Sequence, residues 1–399
     1  MTTPVHEAWL SVPRELHAVV AAPGPRLLRA VRDAVEGDGP AVLPLPPGLP
    51  APALRAALEA LRPTHLDGVR REDGIGVPAE VAVVIATSGS TGVPKGVQLS
   101  AAALRASASA SLRRLGARPG ERWLCCLPPS HVSGLQVLVR ALLGGTEPIV
   151  HEGFSAGAVL AAGADHVSLV PTQLRRLLDA FPPGRADLSG FATILLGGAA
   201  APADLLASAR AAGARVVTTY GMSETCGGCV YDGEPLDGVE LEIGGDGLIR
   251  LGGPVLFSGY RLRADLTEAA RDGGRFLTSD LGVLEGGRLR VLGRADDVIN
   301  TGGEKVVAGV VAGVVAGHPA IADAVVVGRP DPEWGQRVTA VVVSPDPPSL
   351  AELRAFVKER LPAHAAPAEL VVLPGIPLLP NGKPDLEFLR HGRDREPRG

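Results

Sequence analysis

Between residues 81 and 219 the chain alternates short apolar runs with longer segments in which apolar residues recur every three or four positions. The short runs, at 81–86 (VAVVIA), 122–127 (RWLCCL), 148–151, 166–170, 193–196 and 216–219, have the length and composition of buried strands. The longer segments open on helix-start residues: Ser100 before AAALRASASASLRRL, Ser155 before AGAVLAAG, Thr172 before QLRRLLDA and Pro202 before ADLLASARAA. Such alternation predicts an α/β body built on a parallel sheet. From 230 to 293 the chain changes to short strands punctuated by glycine, such as LEIGGDGLIRLGG, which predicts a β-rich subdomain closing that body. After Arg294 the order becomes helix (306–316), strand (321–328), strand (337–343), helix (350–361) and strand (370–373). The expected division is therefore a large N-terminal domain over 1–294 and a small α+β C-terminal domain over 295–399.

Composition narrows the function. A chain of 399 residues with 46% hydrophobic content can bury a sizeable core. A formal net charge of −4 and only 3% aromatic residues argue against a nucleic-acid partner, which would want a basic stripe or stacking platforms. The first twenty residues lack the basic and apolar regions of a secretory signal, so a cytoplasmic location is expected. The longest uncharged run, 306–322, is too short to span a bilayer and meets His318-Pro319, so no membrane span is expected. Cys125-Cys126 and the Cys226-x-x-Cys229 pair read as small apolar residues, with a metal or disulfide role as the alternative. Of the 39 basic residues only four are lysines: Lys95, Lys305, Lys358 and Lys383. Three of these stand beside glycines, where a compact ammonium is expected to do what an arginine fork cannot.

Five motifs carry the candidate chemistry. TSGSTGVPKG (87–96) follows a strand, and its glycines, hydroxyls and Lys95 suit a polyphosphate; Gly96 after the lysine excludes a Walker A loop. YGMSE (220–224) offers a ring for a base, a hydroxyl for phosphate and a carboxylate for Mg²⁺. TSDLG (278–282) places Asp280 where a carboxylate can bind ribose hydroxyls, GRADDVIN (293–300) marks the boundary between the two bodies, and LPNGK (379–383) puts a lysine in a turn.

In this order and spacing the five motifs, spread over residues 80–385, resemble the acyl-adenylate-forming superfamily. That resemblance implies an enzyme that makes an acyl-AMP from a carboxylate and ATP, releases pyrophosphate and passes the acyl group to a thiol. It implies that Thr87, Ser88, Gly89, Ser90, Thr91, Gly92 and Lys95 hold the β- and γ-phosphates, that Glu224 holds Mg²⁺, and that Ser223 touches the α-phosphate, where the family more often has threonine. Tyr220, Gly221 and Met222 with Gly197, Gly198 and Ala199 would bound the adenine, and Asp280 and Arg294 would hold the ribose. Lys383 would reach the α-phosphate and the attacking carboxylate. Asp296 matches the hinge on which a mobile C-terminal domain turns, and Gly302, Gly303, Glu304 and Lys305 would face the thiol donor, with Lys305 equally readable as a solvated charge before a helix.

No carrier segment with a modifiable serine follows 385, so coenzyme A is the expected acceptor. The phosphate motif begins early in the chain, which implies a compact branch without an N-terminal layer. Three segments, LPPSHVSGLQ (127–136), SLVPTQL (168–174) and YGMSETCGG (220–228), resemble the branch that joins 2-succinylbenzoate to coenzyme A in menaquinone biosynthesis. That branch's substrate carries a second carboxylate. His131, Ser133, Thr172, Gln173, Gly198 and Thr225 are the candidate polar contacts, His131 alternatively a packing residue, and no arginine is assigned to the second charge. Another aryl or acyl acid–CoA ligase, and a non-catalytic nucleotide-binding protein of this fold, remain the alternatives. A homodimer is compatible with the resemblance.

Overall fold

The computed structural model describes residues 12–88, 94–182, 184–378 and 384–391. Two seven-stranded sheets form the large body. The first runs in the order Gly259–Tyr260, Pro94–Ser100, Val81–Ser88, Ala41–Leu45, Leu16–Val20, His65–Leu66, Val69–Arg70. The second runs Glu234–Pro235, Gly227–Tyr231, Val216–Met222, Thr193–Leu196, His166–Leu169, Trp123–Cys125, Ile149–Val150. Helices Ala101–Leu115 and Val132–Leu143 pack on each other between strands of both sheets, and they supply much of the main core. The outer face of the second sheet is covered by Ala156–Ala161, Pro171–Asp179 and Ala203–Ala211.

The expected parallel sheet is present but mixed. Five strands of the second sheet are parallel, whereas Val81–Ser88 and Pro94–Ser100 form an antiparallel hairpin with Thr87 opposite Lys95. Thr87 and Lys95 are therefore strand residues, and Lys305 likewise lies in the strand Glu304–Val307. The chain before residue 80 corrects a second expectation, because it supplies four strands of the first sheet and two helices. Strands Leu16–Val20 and Ala41–Leu45 pair in parallel and bury every second residue or more. Helix Pro25–Glu36 buries Leu27, Val31, Ala34 and Val35, the i, i+4, i+7, i+8 stripe of an amphipathic helix.

Helix Ala101–Leu115 begins where the sequence places it: Ser100 accepts a hydrogen bond from the Ala103 N–H at 3.0 Å, satisfying one of the orphan donors of the first turn. Thr172, by contrast, lies inside the helix Pro171–Asp179, whose N-cap is Val170; Gln173 caps it instead, accepting from the Val170 N–H at 3.1 Å.

Three strands, Glu240–Ile243, Leu248–Gly252 and Arg275–Glu285, with Arg271–Asp272 and Arg288–Arg294, make an antiparallel third sheet. A 3₁₀ turn, Ala295–Asp297, leads into the last sheet: Glu304–Val307, Val298–Thr301, Gly335–Val343, Asp323–Asp331, with Glu369–Val372 parallel to Gly335–Val343. Helices Ala308–Ala316 and Leu350–Lys358 close its core. The first of these starts two residues later than expected because Val306 and Val307 pair with Ile299 and Val298. β-branched residues fit a pleated strand better than a helical turn. Among the described residues no helix is long and apolar enough to cross a membrane.

Candidate active site

A cavity of about 960 Å³ opens where the two large sheets meet the third sheet and the 3₁₀ turn at 295–297. Its walls include Thr87, Lys95, His131, Ser133, Thr172, Gln173, Gly197, Gly198, Gly221, Met222, Ser223, Glu224, Asp280, Arg294 and Asp296, residues that in the sequence span more than two hundred positions. Two glycines let the backbone line it closely. Gly198 has φ of +85°, and a Cβ on Gly221 would stand 2.1 Å from the Gly227 carbonyl oxygen.

On the hairpin side Thr87 Oγ1 donates to the Lys95 carbonyl at 3.2 Å, so the hydroxyl and the lysine are held by one strand pair. Tyr260, on the edge strand paired to Val97, stands between the lysine and the carboxylate. The Lys95 ammonium is 5.3 Å from the Tyr260 ring centroid, and the Tyr260 hydroxyl donates to Glu224 Oε1 at 2.8 Å. Burial, then the Glu224 charge, pushes this phenol far above its ordinary range, so it stays a donor. Glu224 follows a strand and lies half-buried in the turn Ser223–Thr225, with one oxygen anchored by Tyr260. A hard oxygen ligand held in that way beside a phosphate-type lysine fits Mg²⁺.

The second polar group sits on the third sheet. Asp280 Oδ2 accepts from the Tyr220 hydroxyl at 2.8 Å, and burial followed by the Asp280 charge raises that phenol strongly. Asp280 is in register with Arg294, and Arg294 pairs with Asp296 at 2.8 Å. Asp280 and Arg294, on adjacent strands, line the cavity with a charge pair that suits a ribose, whereas the Tyr220 ring, expected to stack on a base, holds Asp280 without lining the cavity itself.

The deep arm of the cavity runs along helix Val132–Leu143. Ser133, Gln136 and Arg140 recur at three- and four-residue spacing, so one face of this helix is polar and lines the cavity. Arg140 is 5% exposed. Its guanidinium donates to Ser168 Oγ at 3.0 Å and lies 4.8 Å from the Trp123 ring centroid, and Trp123 stacks in turn on His166 at 4.4 Å. Among the described residues Arg140 Nε and Gln136 Oε1 are buried with no hydrogen-bond partner. Burial lowers the Arg140 pKa, and Tyr231 and Cys125 act against that. A desolvated cation on the cavity wall, with no ion pair among the described residues, is a seat for an anion. The sequence reading missed Arg140 and Tyr260. The signal for Arg140 was there: the single charge in the otherwise uncharged run VSGLQVLVRALL.

Some expected contacts are elsewhere. Thr225 is fully buried, its hydroxyl accepting from the Met222 N–H at 2.9 Å and directed at the Gly227 carbonyl at 2.7 Å; it shapes the turn and does not face the cavity. Ala199 is exposed and off the cavity wall. Gly302, Gly303, Glu304 and Lys305 form an exposed hairpin of the last sheet, also off that wall. Gly89, Ser90, Thr91, Gly92 and Lys383 lie outside the described residues, and Ser88 is the last residue of its strand. The four cysteines are buried and free, and burial raises their thiols, to about 12 for Cys125 and Cys229.

A lysine and a half-buried carboxylate share one cavity wall with Asp280, Arg294 and the buried Arg140, a polar set suited to an enzyme that activates a small molecule with a nucleotide. The chain belongs to the AMP-binding enzyme family: residues 60–248 match that family and 299–383 match its C-terminal domain. It is 42% identical over 387 residues to a probable 2-succinylbenzoate–CoA ligase of Mycobacterium tuberculosis, covering 93% of this chain and 96% of the relative. It is 36% identical over 322 residues to the 2-succinylbenzoate–CoA ligase of Bacillus subtilis, 74% of this chain and 66% of that one. Among solved structures, o-succinylbenzoate CoA synthetase (MenE) from B. subtilis in complex with the acyl-adenylate intermediate OSB-AMP superposes with a TM-score of 0.82 at 30% identity, covering 96% of this chain and 89% of that one. The amide bond synthetase McbA from Marinactinospora thermotolerans gives a TM-score of 0.85 at 27% identity, with 96% and 90% covered.

Proposed function

We propose that this protein is a 2-succinylbenzoate–CoA ligase of menaquinone biosynthesis, acting in the cytoplasm on ATP, Mg²⁺ and coenzyme A. The observation that carries the choice of acid is Arg140. A mono-acid would leave a buried guanidinium without its counter-charge, whereas a dicarboxylic acid can present one carboxylate to the nucleotide and the other to the arginine. His131, Ser133, Thr172, Gln173 and Gly198 flank the path between the two ends.

In this reading the succinyl carboxylate attacks the α-phosphorus of ATP, an acyl–phosphate bond forms, and the bond to pyrophosphate breaks. The chain's task is to hold the reactants in line and oppose the charge that builds on the phosphates. Thr87 and Lys95, with Ser88, Gly89, Ser90, Thr91 and Gly92, hold the β- and γ-phosphates, and Ser223 orients the α-phosphate. Glu224 holds Mg²⁺, which when bound supplies positive charge to the phosphate oxygens. Gly221, Met222, Gly197 and Gly198 bound the base, Asp280, held by the Tyr220 hydroxyl, and Arg294 hold the ribose, and Lys383 meets the reacting oxygen in the transition state. In the second half-reaction the thiol sulfur of coenzyme A attacks the acyl carbon and AMP leaves. Asp296 serves as the hinge that exchanges Lys383 for the hairpin carrying Gly302, Gly303, Glu304 and Lys305.

Purified protein given ATP, Mg²⁺, coenzyme A and 2-succinylbenzoate is expected to release AMP and form the thioester. A panel of carboxylic acids tests the substrate: a mono-acid turned over faster than 2-succinylbenzoate would defeat the assignment.

A further inference from the structure

Far from the cavity, the parallel pairing of Leu16–Val20 with His65–Leu66 brings three metal-ligating side chains to one place. His17 stands opposite His65 in the register, so both imidazoles project from the same face, with ring centroids 4.2 Å apart. Glu15 precedes His17 by two residues, the period of a strand face, and its Oε2 lies 3.1 Å from His17 Nε2 and 4.0 Å from His65 Nδ1. One donor atom from each of Glu15, His17 and His65 lies within 4.8 Å of the other two.

We propose that Glu15, His17 and His65 bind a divalent cation of the zinc class, clamping the edge strands of the first sheet. Two imidazole nitrogens and one carboxylate oxygen are the donor set of Zn²⁺ rather than of Mg²⁺ or Ca²⁺, which take oxygen almost throughout. Bonds of about 2.0–2.2 Å to a tetrahedral ion put ligand atoms roughly 3.4 Å apart. The donor atoms lie within 4.8 Å of one another, so the cluster needs to close by at most about 1.4 Å, shared between the Glu15 side chain, which is 54% exposed, and small ring rotations on the fixed strand backbones.

The histidines are the fixed part. They are 26% and 15% exposed, and the strand pairing sets the separation of their backbones. Thr64 supplies the supporting contact. Its hydroxyl accepts from the Leu16 N–H and donates to the Leu16 carbonyl, both at 2.9 Å, so at 3.1 Å it can only accept from the His65 Nδ1–H, which leaves Nε2 as the metal-ligating nitrogen of that ring. The site has three protein ligands, so its fourth position belongs to water. Because Leu16–Val20 and His65–Leu66 are separated by more than forty residues of chain, the ion joins the two-residue edge strands His65–Leu66 and Val69–Arg70 to the interior of the sheet.

The test uses the full chain, stripped with chelator and titrated with ZnCl₂ by calorimetry, with Tm followed in parallel. One equivalent of Zn²⁺ is expected to bind with a rise in Tm, and both effects are expected to weaken at least tenfold or vanish in His17→Gln and in His65→Gln. Each variant is checked for folding by circular dichroism and by ATP-dependent activity, which is expected to be unchanged because these residues do not line the cavity. Co²⁺ in place of Zn²⁺ is expected to give ligand-field absorption that disappears in His65→Gln. Absence of saturable binding, or unaltered stoichiometry and affinity in both folded variants, overturns the proposal.

Discussion

Two side chains decide what this cavity can do. Arg140 is a cation desolvated in advance, which is unfavourable in the free protein and favourable once an anion arrives. Arg140→Met is therefore expected to lower kcat/KM for 2-succinylbenzoate by roughly 30- to 1000-fold, about 2–4 kcal/mol, while KM for ATP is unchanged and Tm without substrate does not fall. Steady-state kinetics beside a thermal melt check both halves, and a parallel loss of ATP binding would show that Arg140 acts through the fold instead. Tyr260 works differently, by holding one oxygen of Glu224 and leaving the other for the metal ion. Tyr260→Phe keeps the ring beside Lys95 and removes only a hydrogen bond to a charged group, about 1.5–3 kcal/mol. The expected outcome is a higher half-saturating Mg²⁺ concentration with most of kcat recovered at high Mg²⁺, whereas Glu224→Gln is not rescued. Neither residue belongs to a motif that stands out along the chain, because each acquires its role from a neighbour more than twenty-five residues away.

At the scale of elements, helix Ala101–Leu115 was legible from Ser100 and from the apolar spacing after it, and its cap is expected to be worth about 1 kcal/mol in Ser100→Ala, read by denaturant melts. The helix start at Pro171 and the strand Glu304–Val307 were not legible at their boundaries, since pairing and capping partners come from other segments. The loop before strand Trp123–Cys125 shows the same dependence. Glu121 accepts from the Arg118 N–H at 2.8 Å and contacts His166 Nε2 at 2.9 Å, and these bonds, the backbone one first, hold its carboxyl down to about 2 from 4.5. A carboxylate depressed on folding stabilises the native state above its unfolded pKa and loses that contribution as pH falls through the folded one. Glu121→Gln is accordingly expected to be less stable than the parent at neutral pH, with the difference shrinking below pH 4.5 and gone near pH 2. A difference independent of pH would remove the ionised carboxylate from the account.

Over the whole molecule, the proposed mechanism has the small C-terminal sheet present two different faces to one cavity. Lys383→Ala is expected to abolish acyl-AMP formation while thioester formation from preformed acyl-AMP survives, measured as separate half-reactions; equal loss of both in a folded variant would overturn the two-pose assignment. Most strands and helices between residues 100 and 220, the β-rich middle and the change of body near residue 295 were readable from the chain, because they rest on local periodicity and turn chemistry, whereas helix Val132–Leu143 and strand Pro94–Ser100 were not. The tertiary structure alone decided three things. It made the segment before residue 80 a layer of the first sheet, since parallel strands find their partners across intervening helices. It turned Thr225 into the closed core and Arg140 into the cavity, because only packing sets which face of a turn or helix meets empty space. It also set His17 beside His65, a contact that exists only in the register of two strands, and no count of residues along a chain contains a register.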